Sequence, residues 1–227
     1  MCGRYSLTSP LESMRALFGF DEFPNLRPRY NIAPTQDVPV VRVGEVGARE
    51  LSMLRWGLVP SWATELGGAA PLINARGETV AEKPSFRDAF AKRRCLIPTD
   101  GFYEWKKAAK GAKQPYRIAL PDDAPFAFAG IWERWQSAQG ELLESCAIIT
   151  TAASEQIVDI HHRMPVILHP ESYDAWLAEP LGGLLAAYSG EVRAYPIGTA
   201  VNKVGNDDRS LWTAVEIKPQ SAQLDLL

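Results

Sequence analysis

The stretch RCLIPTDGFYEW, residues 94–105, is the part of the chain that most directly indicates its fold. It contains two short runs of apolar and aromatic residues, Arg94 to Ile97 and Gly101 to Trp105. Branched and aromatic side chains pack well on a pleated surface, so such runs favour β-strands. The stretch therefore predicts two short consecutive strands.

Similar runs lie on both sides of this stretch, and they predict six more strands: Val38 to Val43, Leu51 to Trp56, Tyr116 to Leu120, Phe126 to Trp132, Cys146 to Thr151 and Pro165 to Leu168. Helical spacing or capping residues predict four helices: Ser9 to Phe18, Ser85 to Lys92, Ser154 to Ile160 and Glu171 to Leu177. Polar residues predict loops at Lys106 to Gln114 and at Gln136 to Gly140.

Strands interrupted by occasional helices do not form a regular βαβ repeat. We therefore expect an α+β fold in one domain spanning residues 1–227, with a strongly curved, antiparallel-rich sheet or barrel core flanked by short helices. The length of 227 residues and the 46% hydrophobic content are sufficient for a sizeable core.

Charge and cysteine content exclude several classes of protein. The net charge of −3 excludes the globally basic signature of many nucleic-acid-binding proteins but leaves room for a local basic groove. Three cysteines without CxxC spacing suggest neither a disulfide framework nor a zinc site, and Cys95 and Cys146 lie in apolar runs typical of a core. No apolar run is long enough to span a bilayer, so we expect a soluble protein in a reducing compartment.

The N-terminus carries the first candidate for chemistry. Removal of Met1 would leave Cys2 with an α-amine and a thiol on adjacent carbons. Both groups titrate close to neutral pH. Such a 1,2-aminothiol captures an aldehyde, because the amine condenses to a Schiff base and the thiol then closes a five-membered thiazolidine ring. The alternative is that Cys2 is simply a small residue in a frayed terminus.

Three further polar clusters interrupt the apolar pattern. In INARGET, residues 73–79, Asn74 and Arg76 would share one face of an extended strand, where Asn74 orients a nucleophile and Arg76 holds a phosphate. The alternative is a turn capped by Asn74 with a solvated Arg76. In DGFYEW, residues 100–105, an apolar setting would raise the pKa of Glu104 and suit it to proton transfer, unless Glu104 faces solvent or pairs with an arginine.

The last cluster is DIHHRMP, residues 159–165. Histidine suits proton transfer at physiological pH, and Arg163 is a candidate for binding a phosphate. Adjacent histidines rarely converge on one ion, so we expect His161 and His162 to make local hydrogen bonds and we expect no metal site.

Six motifs in this order resemble those of the SRAP family, named for SOS response-associated peptidase, whose members form covalent crosslinks with abasic sites in single-stranded DNA. The resemblance spans nearly the whole chain and rests on MCGR (1–4), RYNIAPTQ (29–36), RWGLVPSW (55–62), INARGET (73–79), DGFYEW (100–105) and DIHHRMP (159–165). It implies the SRAP fold and abasic DNA as the partner, without a cofactor.

The resemblance also implies roles for individual residues. Cys2 is the expected nucleophile, Asn74 positions it and the sugar, Glu104 assists ring opening, and His161, preferred to His162 because it follows the Asp-Ile pair, assists Schiff-base proton transfers. The residues expected to line the DNA groove are Arg4, Asn31, Pro34, Trp62, Arg76 and Arg163. Trp62 would stack on an exposed base, with a core anchor as its alternative, and the alternative for Pro34 is that it only stiffens a turn. Some relatives carry a second aromatic residue where this chain has Ala63.

These expectations combine into one function and two alternatives. A monomer in the cytoplasm, or in the nucleus of a eukaryote, would crosslink abasic sites through Cys2 and protect the strand from cleavage. The main alternative is an N-terminal-nucleophile cysteine peptidase or amidohydrolase, in which the Cys2 thiol attacks a carbonyl. The other is a non-enzymatic module that binds single-stranded DNA.

Overall fold

Strands outnumber helices in the computed structural model, which describes residues 2–66, 70–107 and 112–217. In chain order, the elements are β1 (Tyr5–Leu7), α1 (Leu11–Phe18), β2 (Arg29–Ile32), β3 (Asp37–Val43), β4 (Arg49–Trp56), β5 (Asn74–Arg76), α2 (Arg87–Lys92), β6 (Arg94–Thr99), β7 (Gly101–Lys106), β8 (Gln114–Ala119), β9 (Phe126–Gln136), β10 (Leu142–Ala152), β11 (Arg163–Pro165), β12 (Ile167–Leu168), α3 (Tyr173–Ala178) and β13 (Arg193–Pro196).

Five strands close into a barrel. Antiparallel pairing links β4 to β3, β3 to β6, β6 to β9 and β9 to β10, and a parallel pairing of β10 with β4 completes the ring. Each of the five strands is therefore paired on both sides, and the barrel has no open edge. The expected α+β fold with a barrel core is therefore confirmed.

A second sheet of five strands has the order β13-β8-β7-β1-β2. The N-terminal strand β1 lies inside this sheet, because β7 pairs with one side of it and β2 with the other. The pairing with β7 continues outward from β1, since the Tyr103 N–H donates to the Arg4 carbonyl at 3.0 Å. This arrangement fixes the first residues of the chain beside β7.

Aromatic side chains from the two sheets meet in one core. The Tyr5 ring lies edge-on to Trp56 at 5.2 Å and to Phe128 at 5.9 Å, and Phe102 contacts the same Phe128 ring at 5.8 Å. Such edge-to-face contacts add about 0.5–1.5 kcal/mol each beyond the burial of area. Cys95 and Cys146 are also fully buried in this core, as expected.

Several predictions about local structure need correction. Helix α1 begins at Leu11 rather than at Ser9, because Pro10 has an extended ψ of 146° and Ser9 caps nothing. Residues 154–160 form successive turns instead of a helix, with the Ser154 carbonyl accepting from both Ile157 and Val158. Within these residues only Ile157 is buried, whereas the six-residue helices α2 and α3 bury two and three side chains, so this segment has less packing to stabilise a helix.

The predicted strand Pro165 to Leu168 is divided into β11 and β12, which pair with β10 and β9. The other predicted strands and helices are present with shifts of up to four residues at their ends, and β5 contains the Asn74 and Arg76 expected on an extended strand, but β1, β2 and β13 were not predicted. The predicted loop Lys106 to Gln114 falls partly outside the described residues, whereas the predicted loop Gln136 to Gly140 is present at residues 137–141 and joins β9 to β10. Within the described ranges, no helix has the length and apolar character needed to cross a bilayer.

Candidate active site

Cys2 is fully buried beside β7. Its Sγ lies 3.7 Å from the Arg4 carbonyl oxygen, a weak S–H hydrogen bond. Burial raises the pKa of the Cys2 thiol well above its usual range, and the negative charge of Glu104 raises it further. The thiol therefore keeps its proton at neutral pH, and Cys2 is not a frayed residue.

Asn74 holds the main chain of Cys2. Its Nδ2 donates to the Cys2 carbonyl oxygen at 2.8 Å. Asn74 reaches this position because β5 runs parallel to β10, with Asn74 opposite Ile148. The Asn74 Oδ1 atom is buried and accepts no hydrogen bond from the described residues, so one acceptor is available beside Cys2.

The geometry of β5 confirms that Asn74 and Arg76 share a strand face. Ala75, between them, is buried against the core, while the Arg76 side chain is exposed. Asn74 caps no turn, so that part of the alternative is wrong, whereas Arg76 is exposed to solvent, as the same alternative stated. Binding of a phosphate by Arg76 stays a prediction.

Glu104 is only 2% exposed, so the alternative that it faces solvent is wrong. It lies on β7 between Tyr103 and Trp105, and Tyr103 is directed away to donate its hydroxyl proton to the Tyr30 carbonyl at 2.6 Å. Burial raises the pKa of the Glu104 carboxyl, and nearby positive charge, including that of His162, partly opposes the rise. A carboxyl group with a raised pKa is suited to exchange protons near neutral pH.

His161 makes the local hydrogen bonds that the sequence predicts. Its Nδ1 lies 3.0 Å from the Arg163 main-chain nitrogen and 3.0 Å from the Arg163 carbonyl oxygen. His162 stacks on His161 with ring centroids 4.5 Å apart, and it is the more exposed of the two. Burial lowers the pKa of His161, which favours the neutral imidazole.

Arg4 and Asn31 hold a loop in place. Arg4 Nη1 donates to Asn31 Oδ1 at 2.9 Å and to the Val201 carbonyl at 2.8 Å. Asn31 is buried, and its Nδ2 contacts the carbonyl oxygens of Val201, Lys203 and Asn206. These contacts fix residues 201–206 beside the N-terminus. A DNA contact by either residue stays a prediction.

The Arg163 guanidinium forms an ion pair within the protein. Both Nη atoms contact the Glu78 carboxylate, and Nη2 also donates to the Thr150 carbonyl at 2.7 Å. The expectation that Arg163 binds a phosphate stays untested, although the structure gives its guanidinium protein partners.

Trp62 and Pro34 lie at the surface or close to it. Trp62 is 62% exposed, so the core-anchor alternative is wrong and a flat ring is available for stacking. It lines a cavity of about 600 Å³ together with Val59, Pro60 and Leu66. Pro34 is half-buried in the turn between β2 and β3, followed by Thr35 at a φ of +70°. Base stacking and DNA contact at these positions remain predictions.

Two partners of these residues were not found from the sequence. Glu78 lies inside the INARGET motif, but its pairing with Arg163 joins residues 85 positions apart. The segment 201–207 has turn-forming residues, which signal a loop but not its contact with Arg4 and Asn31. In the described parts of the chain, no three His, Cys, Asp or Glu side chains lie close enough together to hold a metal ion.

Known proteins match this chain over most of its length. The family model for SOS response associated peptidase (SRAP) matches residues 1–204. The abasic site processing protein YoqW of Bacillus subtilis is 40% identical over 93% of this chain and 98% of its own length. The abasic site processing protein YedK of Escherichia coli is 34% identical over 93% of this chain and 98% of its own.

A more distant relative is the chicken abasic site processing protein HMCES, which is 32% identical over 84% of this chain and 67% of its own length. Among solved structures, a protein from Bacteroides thetaiotaomicron superposes with a TM-score of 0.83 at 28% identity, over 95% of this chain and all of that one. The family match, the relatives and the barrel with Cys2 at its side lead to the same conclusion. The chain belongs to the SOS response associated peptidase (SRAP) family.

Proposed function

We propose that this protein processes abasic sites in single-stranded DNA by forming a thiazolidine crosslink through Cys2 after Met1 is removed. The observation that carries the proposal is the fixed position of Cys2, whose main chain is held by Asn74 at 2.8 Å beside the buried Glu104 carboxyl. The names of the relatives, abasic site processing proteins, support the choice of substrate.

The reaction begins at the amine. The neutral α-amine of Cys2 attacks the aldehyde carbon of the ring-opened sugar and forms a C–N bond. Loss of the former carbonyl oxygen as water, with protons supplied by Glu104 and exchanged by His161, gives the Schiff base. Asn74 Oδ1, buried and without a described donor, is suited to accept a hydrogen bond from an N–H of the α-amine and so to orient the nitrogen lone pair.

Ring closure follows at the same carbon. The Cys2 sulfur adds to the C=N carbon while the thiol proton passes to the nitrogen, so that nitrogen and sulfur end on one carbon and the net loss is one water. A saturated ring removes the iminium group that would promote β-elimination and strand cleavage. The product therefore protects the strand.

The raised pKa of the Cys2 thiol favours this order of steps over the peptidase alternative. A peptidase needs the thiolate as its first nucleophile, and burial beside Glu104 disfavours that anion. In the crosslinking scheme the amine reacts first, and the thiol loses its proton only when an electrophilic carbon is already attached next to it.

Substitution of Cys2 provides the first test. With an oligonucleotide that carries one abasic site, the wild-type protein should give a protein–DNA species that survives denaturation, and Cys2→Ala should give none. Cys95→Ala serves as the matched control, because it removes another fully buried thiol and should leave crosslinking intact. Amide hydrolysis without any crosslink by the wild type would favour the peptidase, and equally tight binding to intact and abasic DNA without reaction would favour a binding module.

An inserted residue separates the amine from the thiol. If one alanine is placed before Cys2 and retained, the thiol stays but the adjacent free amine is lost. Thiazolidine formation should then fail even though DNA binding persists. A stable crosslink formed by this variant would contradict the proposed chemistry.

A further inference from the structure

We propose that Glu78 is a positioning residue for the reaction at Cys2, because its ion pair with Arg163 holds His161 in place. The inference rests on the proposed function, since it concerns the rate of that same crosslinking reaction. It adds a residue that touches neither Cys2 nor the expected sugar and acts through the segment 161–163.

The ion pair joins three separate elements. Glu78 follows β5 in a short turn at residues 77–79, Arg163 begins β11, and Thr150 lies on β10. Arg163 Nη2 contacts Glu78 Oε2 at 2.9 Å, the Thr150 carbonyl at 2.7 Å and Thr150 Oγ1 at 3.3 Å, while Nη1 contacts Glu78 Oε1. A bidentate contact of this kind fixes the plane of the guanidinium as well as its position.

The pair is firmer than an ordinary surface pair. The Arg163 side chain is 12% exposed, although that of Glu78 is 52% exposed. The hydrogen bonds from Arg163 lower the pKa of the Glu78 carboxyl, so it remains ionised at neutral pH. Arg163 is therefore held from both sides, by a carboxylate and by a strand of the barrel.

Fixing Arg163 also fixes His161. The Arg163 N–H and C=O both lie 3.0 Å from His161 Nδ1. A neutral imidazole accepts from the N–H, and a protonated one donates to the C=O. One residue therefore provides a partner for the ring in either protonation state, and the ring keeps its orientation while it gains and loses a proton.

Electrostatics distinguish this role from a contact with DNA. Glu78 is a negative charge within the family motif that also contains the exposed Arg76, and a negative charge close to a phosphate binding surface weakens the attraction to DNA. Loss of the Glu78 charge should therefore slow the reaction without weakening binding. A residue that merely maintained the fold would lower both.

The test uses Glu78→Gln, which keeps the size of the side chain and removes its charge. We expect crosslinking at saturating abasic DNA to slow about tenfold or more, because a small misplacement of a reacting group costs up to about 100-fold. In a Cys2→Ala background, affinity for intact single-stranded DNA should stay the same or increase. Glu78→Asp should recover part of the rate.

The matched control is Asp174→Asn. Asp174 is likewise an exposed carboxylate on a largely buried arginine, Arg49, which also donates to a main-chain carbonyl, that of Phe18. This control should crosslink at the wild-type rate. A double-mutant cycle adds Arg163→Lys, and the Glu78→Gln/Arg163→Lys variant should be no slower than Arg163→Lys alone, because both changes break one unit.

A spectroscopic measurement tests the proposal without DNA. In protein with ¹⁵N-labelled histidine, the His161 ring signals should change in Glu78→Gln and remain as in the wild type in Asp174→Asn. If Glu78→Gln does not fold, Glu78→Asp and Arg163→Lys provide the same comparison.

Three results would each overturn the role of Glu78. The first is unchanged His161 signals together with a wild-type rate, the second is a faster reaction with tighter binding, and the third is additive effects of the two substitutions in the double-mutant cycle. Failure of the proposed function would look different, since the wild-type protein itself would then form no crosslink.

Discussion

At the scale of single residues, the environment of Glu104 gives a prediction about both rate and stability. The pKa of this carboxyl is raised by burial, so the folded state binds the proton more tightly than the unfolded state does. Its contribution to stability is complete below the ordinary glutamate pKa and is lost as the pH rises through the raised value. Above that raised value, the charged carboxylate reduces the free energy of unfolding.

Glu104→Gln should accordingly slow crosslinking about 100-fold, because a proton donor is lost, while the variant unfolds at the same temperature as the wild type or a higher one at pH 7–8. Thermal unfolding across a pH series, run beside a crosslinking assay, measures both effects. Glu133→Gln is the control, since Glu133 is also buried but pairs with Arg93 at 2.5 Å, and its loss should lower stability without slowing the reaction. A wild-type crosslinking rate in Glu104→Gln would contradict the role given to this residue.

The reactive residues of the candidate site could largely be predicted from the sequence, but the residues that hold them in place could not. Cys2, Asn74 and Glu104 carry recognisable chemistry in short motifs, and the structure places them together. The partners Glu78 and the loop at residues 201–206 were missed, because their contacts with Arg163 and Asn31 join residues 85 and at least 170 positions apart. A local sequence pattern indicates which side chains are reactive, but it does not indicate which residues far away in the sequence contact them.

At the scale of elements, the loop at residues 201–206 depends on one amide. Asn31 donates to three of its carbonyl oxygens and accepts from Arg4. Asn31→Ala would leave Arg4 and these carbonyl groups without that partner, so we expect the free energy of unfolding to fall by about 2–3 kcal/mol. Denaturant unfolding measures the loss, and hydrogen exchange should report opening of this loop.

Asn25→Ala, at an exposed position, is the control and should unfold like the wild type. If Asn31 serves only to contact DNA, Asn31→Ala would instead keep its full stability and lose affinity for single-stranded DNA.

Close packing inside the barrel leaves no room for a side chain at one position in β9. A Cβ atom at Gly130 would lie 2.7 Å from Ile97 Cγ1 and 2.8 Å from Cys95 Sγ, so no side chain fits unless these two side chains of β6 move. Gly130→Ala should destabilise the fold by about 1–3 kcal/mol through overpacking, as measured by thermal unfolding. Gly182→Ala, which meets nothing within 4 Å, should have little effect. Equal melting temperatures for the two variants would show that the barrel interior is looser than described.

The elements themselves were unequally predictable. Dense runs of branched and aromatic residues predicted β6, β7, β9 and β10, which build or adjoin the barrel. Strands of three or four residues, such as β1 and β5, are too short to show alternation, and their pairing with β7 and β10 depends on the tertiary fold. Strand β5 carries Asn74, and β1 follows Cys2 closely in the chain. The site residues could therefore be identified from the sequence, but their arrangement in space could not.

At the scale of the whole molecule, a net charge of −3 means that the proposed attraction to DNA has to come from a local surface rather than from the total charge. The fold holds the N-terminus in place, because β1 lies inside the second sheet and Cys2 is kept beside β5 and β7. A chain end that is usually mobile is thereby held as part of the site. The account depends on a mature chain that begins at Cys2 and uses both its nitrogen and its sulfur.

The most direct test of that claim is the mass of the denatured adduct with abasic DNA, measured after alkylation of accessible thiols. The chain contains three cysteines. The account predicts a mass equal to the protein without Met1 plus the oligonucleotide minus one water, with two cysteines alkylated in the adduct and three in the free protein. An adduct that retains Met1, or one in which all three cysteines are alkylated, would contradict it.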